Sequence, residues 1–496
     1  MWESKSFEEL QAGLTRRLGA RGVADMTSGT VVVLPSISFA PAELRKITGI
    51  TRYEERLLCL LLLLDEPELR MIYLTALPVD DAVIDYYLSW LKDPTGARAR
   101  LTLLSLGDPE ARGLTEKLLD RPEVVEEISL VAGDDALILP FNVTAAEKEF
   151  SERTGIALYG PAPDLIALGT KTGSRQVARR AGIPVLDGAE ELYSLPALEA
   201  AIAALKERRP EARSVVIKLN HGFSGQGNAI IELADVVSPL TGTPTVFCAR
   251  EETWDSYLPK IEAEGAIVEE HIRGAGEPVS PSVQLRISPG GTVEEVSTHD
   301  QILGGPDGHV YLGCRFPARS AYRGTIQGFA ERVGRALAAE GVIGSFGIDF
   351  IVVPTDEGER VFLSEINLRM GGTTHPFLMA KYVTGGTYGE STGELIVDGA
   401  PVAYVATDNL KSDRFKVFTP AWLIEALRER GLSYDPVARR GVLLHLLGAM
   451  QKHGKLGALC IGATPEDVNG IYERLLAALG ELVSEDPLPE APAPLD

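Results

Sequence analysis

The chain has 496 residues, 45% of them hydrophobic and 24% charged, which excludes both a single small module and a disordered polypeptide. Lys plus Arg number 48 against 70 Asp plus Glu, a formal charge of −22. That balance opposes broad attraction to nucleic acid or to an anionic membrane, and leaves room only for a local basic pocket.

The N-terminal MWESKSFEEL carries acids where a secretory leader needs a basic start, and the longest greasy run, residues 57–64, is far short of the roughly 20 residues of a membrane span. A cytoplasmic location is expected. The four cysteines, Cys59, Cys248, Cys314 and Cys460, are widely spaced. They fit neither a disulfide framework nor a zinc ribbon, and read as reduced and mostly buried.

Along residues 1–155, short apolar runs alternate with helical ones. TVVVLPS from Thr30, MIYLTAL from Met71, ARLTLLSL from Ala99 and DALILPF from Asp135 read as strands, while RYEERLLCLLLLL, DDAVIDYYLSWL and ARGLTEKLLDRP read as helices. The alternation predicts a small parallel α/β sheet. Pro35-Ser36-Ile37-Ser38 stands where a dinucleotide-binding chain would carry its glycines, so dinucleotide binding has no support.

Over residues 156–395 the pattern changes: a helix over 164–182, then IPV, an Ala-rich helix over 196–208, and strands that look antiparallel. Residues 396–483 form a last α+β module. It holds two helices that open at Thr419-Pro420 and Thr464-Pro465, since a threonine cap followed by proline satisfies and spares the free amides of a first turn. Residues 484–496, with four prolines and no apolar period, read as a disordered tail.

SVVIKL, ending near Lys218, is followed by His221-Gly222-Phe223-Ser224-Gly225-Gln226-Gly227-Asn228 and a second strand, AIIEL. A strand follows these glycines, so neither the Rossmann fingerprint nor the P-loop fits. Two readings stand: an ordinary Gly-rich turn, or a tip whose amides approach phosphate with the Lys218 ammonium beside them.

GSFGIDFIVV and RVFLSEINLR, joined by PTDEGE, form a hairpin. Pairing Pro354 with Arg360 sets Asp349 opposite Glu365, and places Glu365, Asn367 and Arg369 on one face, with Phe362, Ser364, Ile366 and Leu368 on the other. Like charges directly opposite are destabilising. The set reads either as a polar, solvent-facing sheet surface or as a site for a hard cation such as Mg²⁺. The strand AIVEEHI ends in Glu269-Glu270-His271-Ile272 and precedes Glu277, where backbone could read an adenine edge and an acid a ribose.

Lys171, Lys218, the 269–277 segment, Asp349 and the strand Glu365-x-Asn367-x-Arg369, in this order, resemble the ATP-grasp superfamily. The flanking stretches LPSISFAPAELRKITGITRYEERLLCLLLLL and KVFTPAWLIEALRERGLSYDP resemble those of pheganomycin-type peptide ligases. The resemblance implies a Rossmann-like pre-ATP-grasp domain (1–155), an ATP-grasp domain (156–395) of two α+β lobes, and a C-terminal module (396–483).

It further implies ATP held by Lys171 and Lys218, with Ser224, Gly225, Gln226 and Gly227 closing over the phosphates. Glu269, Glu270 and Ile272 would sit on adenine and Glu277 on ribose. Mg²⁺ would be held by Asp349, Glu365 and Asn367. Arg286 and Arg369 are candidates for oxyanion stabilisation, and equally for structural ion pairs. Gly347 stands where some members carry an arginine, leaving Arg286, Arg315 or Arg369 to compensate. The implied activity is ATP-dependent carboxylate–amine ligation through an acyl phosphate, on small-molecule or peptide substrates. An ATP-grasp kinase and a nucleotide-binding regulator without turnover are the alternatives. Nucleic acid and membrane are not expected as partners, and homo-oligomerisation stays open.

Overall fold

Apolar β-branched runs between charged helical stretches assemble first into a five-stranded parallel sheet. Its order is Leu101–Ser105, Glu68–Thr75, Ser28–Leu34, Ala136–Pro140, Ala157–Leu158. Val31 and Val33 join one buried cluster, Val32 and Leu34 another, as a strand covered on both faces requires. This computed structural model describes residues 5–222, 227–249, 251–272, 278–304, 310–356 and 358–483. The expected tail at 484–496 lies outside them.

Two expected helices differ in detail. The leucine-rich run is a 3₁₀ helix, Ile50–Asp65, and its residues 57–64 are all buried. The stretch 164–182 is broken into a 3₁₀ segment, Pro163–Gly169, and a helix, Lys171–Arg180. Thr170 is extended, and its hydroxyl accepts from the Gly173 amide at 3.0 Å, a cap that restarts the helix at Lys171. Gly169 lies so close to Ile366 that a Cβ would stand 3.2 Å from that residue's carbonyl.

A second, antiparallel sheet runs Gly188–Leu192, Ala266–Glu270, Ser214–Leu219, Asn228–Glu232, Thr245–Phe247. Helices Leu195–Arg208 and Trp254–Glu264 contribute to its core. The third sheet has ten strands, including Pro281–Ile287, Val293–Gly304, Val310–Phe316, Gly344–Thr355 and Gly358–Asn367. Helix Ser320–Ala339 packs on it through Tyr322, Ile326, Ala330, Val333 and Leu337.

The third sheet runs across residue 395, because Ala400–Lys411 pairs with Val310–Phe316 on one side and Lys455–Gly462 on the other. Both threonine caps of the last module form: Thr419 accepts from Trp422 and Thr464 from Asp467, each at 3.2 Å. Each is worth about 1 kcal/mol. Among the described residues no helix is long and apolar enough to cross a membrane.

Candidate functional site

The second and third sheets face each other across a cavity of about 380 Å³. Lys171, Lys218, Asp349, Glu365, Asn367 and Arg369 all line it. The helix restart at Thr170 supplies Lys171, and Ser214–Leu219 supplies Lys218 from the smaller sheet. The rest comes from the Gly344–Thr355 and Gly358–Asn367 hairpin and the residues just after it.

Asp349 pairs directly with Glu365, as expected, but by another route. Near the turn Pro354 pairs with Glu359, not Arg360, so an unbroken ladder would set Asp349 against Ser364. A bulge beyond Leu363 inserts one residue and brings Glu365 into register. The face assignment changes accordingly. Val361 and Leu363 face the same core as Ile366 and Leu368, while Phe362 packs with Leu186 and Val353 in another. Ser364 lines the cavity instead of joining a buried face.

The Asn367 amide donates to Asp349 at 3.0 Å and to Glu365 at 3.1 Å. Gln301, which sequence reasoning missed, donates to Asp349 at 2.9 Å. Burial pushes the Asp349 carboxyl up to about 6 despite Lys171 and Arg369 nearby, so the site under-compensates its negative charge. Two opposed carboxylates with an amide between them form an oxygen set suited to a hard cation. Lys171 is ion-paired to Glu365. Arg369 donates to the Asn367 side-chain oxygen at 2.8 Å and lies 5.7 Å from the Phe39 ring centroid.

The side chains of the segment expected to meet adenine are occupied within the protein. The Glu269 carboxylate sits between Lys218 and Arg175, the latter at 3.2 Å, so this side chain is an internal clamp on a cavity-lining lysine. Glu270 pairs with Arg209 at 3.0 Å. Ile272 packs against the small apolar cluster of Leu186, Val353 and Phe362. Gly227 is buried against Gly222 and Leu219. Ser224, Gly225, Gln226 and Glu277 lie outside the described residues.

Of the two roles left open for Arg286, the structure supports the ion pair. Arg286 does not line the cavity; its guanidinium is 2.5 Å from Glu294 and 3.5 Å from Asp25, and a Cβ on Gly22 would collide with it. It ties the parallel-sheet domain to the large sheet. Arg315 donates to Asn469 at 2.7 Å and also stays out of the lining. At Gly347 a Cβ would meet the Gln284 side chain at 3.0 Å. Of the three arginines expected to compensate there, Arg369 alone reaches the cavity.

Neither flanking module was expected to contribute side chains, yet both do. Lys46, Tyr53 and Arg56 enter the cavity from the first domain, and Asn409, Lys411 and Lys455 from the last. Gly371 and Gly372 complete the wall, with Gly372 against the Tyr311 ring.

Two family models match the chain: IQCH-like, ATP-grasp, over residues 232–390, and PGM1 C-terminal domain, over residues 423–475. The chain is 31% identical over 484 residues to the L-propargylglycine–L-glutamate ligase of Streptantibioticus cattleyicolor, covering 94% of this chain and 98% of that protein. It is 20% identical to IQ motif-containing protein H of Danio rerio, covering 92% of this chain and 48% of the relative. Among solved structures, biotin carboxylase of Campylobacter jejuni shares the fold with a TM-score of 0.56 at 17% identity, over 91% of each chain. N5-carboxyaminoimidazole ribonucleotide synthetase in its ADP complex does so with a TM-score of 0.53 at 12% identity, over 92% of this chain and 97% of that one.

Proposed function

The chain belongs to the ATP-grasp superfamily, among the pheganomycin-type peptide ligases, and is an ATP-dependent carboxylate–amine ligase; on that premise we propose that it joins an amino-acid or short-peptide carboxylate to an amine through an acyl phosphate. The observation that carries the reading is the convergence of Asp349, Glu365 and Asn367 with Lys171, Lys218 and Arg369 on one cavity. Phosphoryl transfer depends on placed cations and dipoles more than on a covalent nucleophile.

In this reading Lys171 and Lys218 bind the ATP phosphates, and Ser224 to Gly227 cover them. Residues 269–272 present backbone to adenine beside the apolar cluster around Phe362, and Glu277 takes the ribose. Asp349, Glu365 and Asn367 would hold Mg²⁺, which supplies charge neutralisation of the transferring phosphoryl group. A substrate carboxylate oxygen attacks the γ-phosphorus and ADP leaves. The amine nitrogen then attacks the acyl carbon, inorganic phosphate leaves with the bridging oxygen, and the amine gives up a proton. Arg369 stabilises the negative charge that builds on the acyl group.

The relative's name pairs L-propargylglycine with L-glutamate, so amino acids are the substrates to screen first. In that screen, hydroxylamine in place of the amine should yield a hydroxamate, with one ADP formed per product. Release of AMP and pyrophosphate would instead mean adenylation, and a phosphorylated alcohol would mean a kinase.

A further inference from the structure

We propose that Arg56, Lys411 and Lys455 form an anion subsite that holds a spectator carboxylate of an amino-acid substrate, one that is never activated; this rests on the ligase reading above. Lys411 and Lys455 are direct cross-strand partners on Ala400–Lys411 and Lys455–Gly462. Both line the cavity. Like charges in that position are destabilising, as are the opposed acids Asp349 and Glu365. The cavity therefore carries two facing like-charge pairs: an acidic one that suits a cation and a basic one that suits an anion.

The charges around the basic pair do not cancel within the protein. Lys455 is 3% exposed, contacts the Tyr53 hydroxyl and lies 4.7 Å from that ring's centroid. Arg56 lies 4.1 Å from the same centroid. Among the described residues neither lysine has a carboxylate within ion-pair reach. Asp408, which acts on Lys455, is spent on Arg56 and on His375 at 3.1 Å, with His445 at 3.5 Å. Burial keeps His375 and His445 below their ordinary range, so both are neutral. One negative charge thus faces three positive ones, in a chain whose net charge is −22.

The His375, Asp408 and His445 ligand atoms lie within 4.8 Å of one another. With Asp408 committed to Arg56, the cluster serves as a buried stay that fixes the guanidinium at the cavity wall, a positioning role. Burial, with Arg56 adding to it against Asp408, lowers Lys455 to about 8, and burial with Lys455 lowers Lys411. Both shifts are in the direction that a bound anion would reverse.

The subsite lies at the end of the cavity formed by the flanking modules. An amino acid that serves as the amine keeps its carboxylate, and one that serves as the acid keeps a carboxylate only if it is dicarboxylic, as glutamate is, so the spectator group belongs either to the amine or to a dicarboxylic acid. Calorimetry with L-glutamate and L-glutaminamide, which keeps the α-amino group but has no carboxylate, tests the subsite without turnover. The wild-type protein should prefer L-glutamate by about 10- to 100-fold, as charge-assisted hydrogen bonds imply. The Lys411→Met/Lys455→Met double variant, and to a lesser degree Lys455→Met alone, should lose that preference. Lys452→Met, at an exposed lysine in the short helix Met450–His453, should keep it. In turnover assays of the double variant, a KM increase confined to the amine substrate assigns the carboxylate to the amine, and one confined to the acid substrate assigns it to the acid. Equal binding of the two probes by the wild type, or a preference that survives in the double variant, overturns the proposal. A protein that binds L-glutamate selectively but forms no ADP would retain the subsite and refute the ligase reading instead.

Discussion

Lys171 is ion-paired to Glu365. A cation and a carboxylate of the cavity lining therefore neutralise each other. Burial, with Lys218 nearby, brings the Lys171 ammonium down to about 7. On the proposed reading a nucleotide with its metal would separate this pair, giving each member a stronger partner.

Glu365→Gln removes one negative ligand at constant size. Turnover, read as ADP release, should fall by about a thousandfold, the effect expected when a group acting on developing phosphoryl charge is lost. Circular dichroism should be unchanged. EDTA should abolish wild-type turnover, and added Mg²⁺ should restore it. Wild-type rates for the variant at limiting Mg²⁺ would remove Glu365 from the site.

Lys218→Ala deletes the ammonium clamped by Glu269, while Arg175 still neutralises the carboxylate at 3.2 Å. Nucleotide Kd should rise by about 10- to 100-fold. Lys206→Ala, whose ammonium reaches the Leu233 carbonyl at 3.2 Å, should leave it within about twofold. Calorimetry with ADP or a non-hydrolysable ATP analogue distinguishes the two.

Asp408→Ala strands the Arg56 guanidinium in a buried site. Burial alone would raise the Asp408 carboxyl, yet Arg56 and His375 hold it well below the ordinary range. Removing one partner of such a pair costs about 3–5 kcal/mol. Urea unfolding should show that loss, and an unfolding free energy within 1 kcal/mol of wild type would contradict the buried-stay role.

Lys455 carries a depressed folded-state pKa of about 8 against 10.5 when exposed. The unfolded chain therefore binds more protons between those values, and the native state gains stability as pH rises through that window. Below pH 8 the penalty is fully present. Lys455→Met should consequently raise Tm at pH 7, and the difference from wild type should shrink above pH 10.5. A lower Tm at pH 7 would show that the ammonium is satisfied within the protein.

Much of this was legible in the sequence, for stated reasons. The order of Lys171, Lys218, Asp349 and Glu365-x-Asn367-x-Arg369 fixed the centre of the site, because period-two strands bring alternate residues to one face. The bulge beyond Leu363 was not legible, since one inserted residue leaves no pattern in an apolar run; the Asp349–Glu365 pairing emerged from a mistaken turn register. The two roles of Arg286 stayed open because an arginine in an extended strand looks alike whether it faces substrate or packs beside Gly22. Gln301, Arg56 and Lys455 were missed because long-range pairing, here Lys411 with Lys455 across 44 positions, is not written in local sequence.

The acyl phosphate is the centre of the account, and isotope transfer tests it most directly. With the substrate carboxylate labelled with ¹⁸O, in-line attack on the γ-phosphorus makes one labelled oxygen the bridge, and amine attack on carbon leaves that oxygen with phosphate. Mass spectrometry of the released inorganic phosphate should find one ¹⁸O per molecule, with ADP unlabelled. Label in AMP, or unlabelled phosphate accompanying amide formation, would contradict the account.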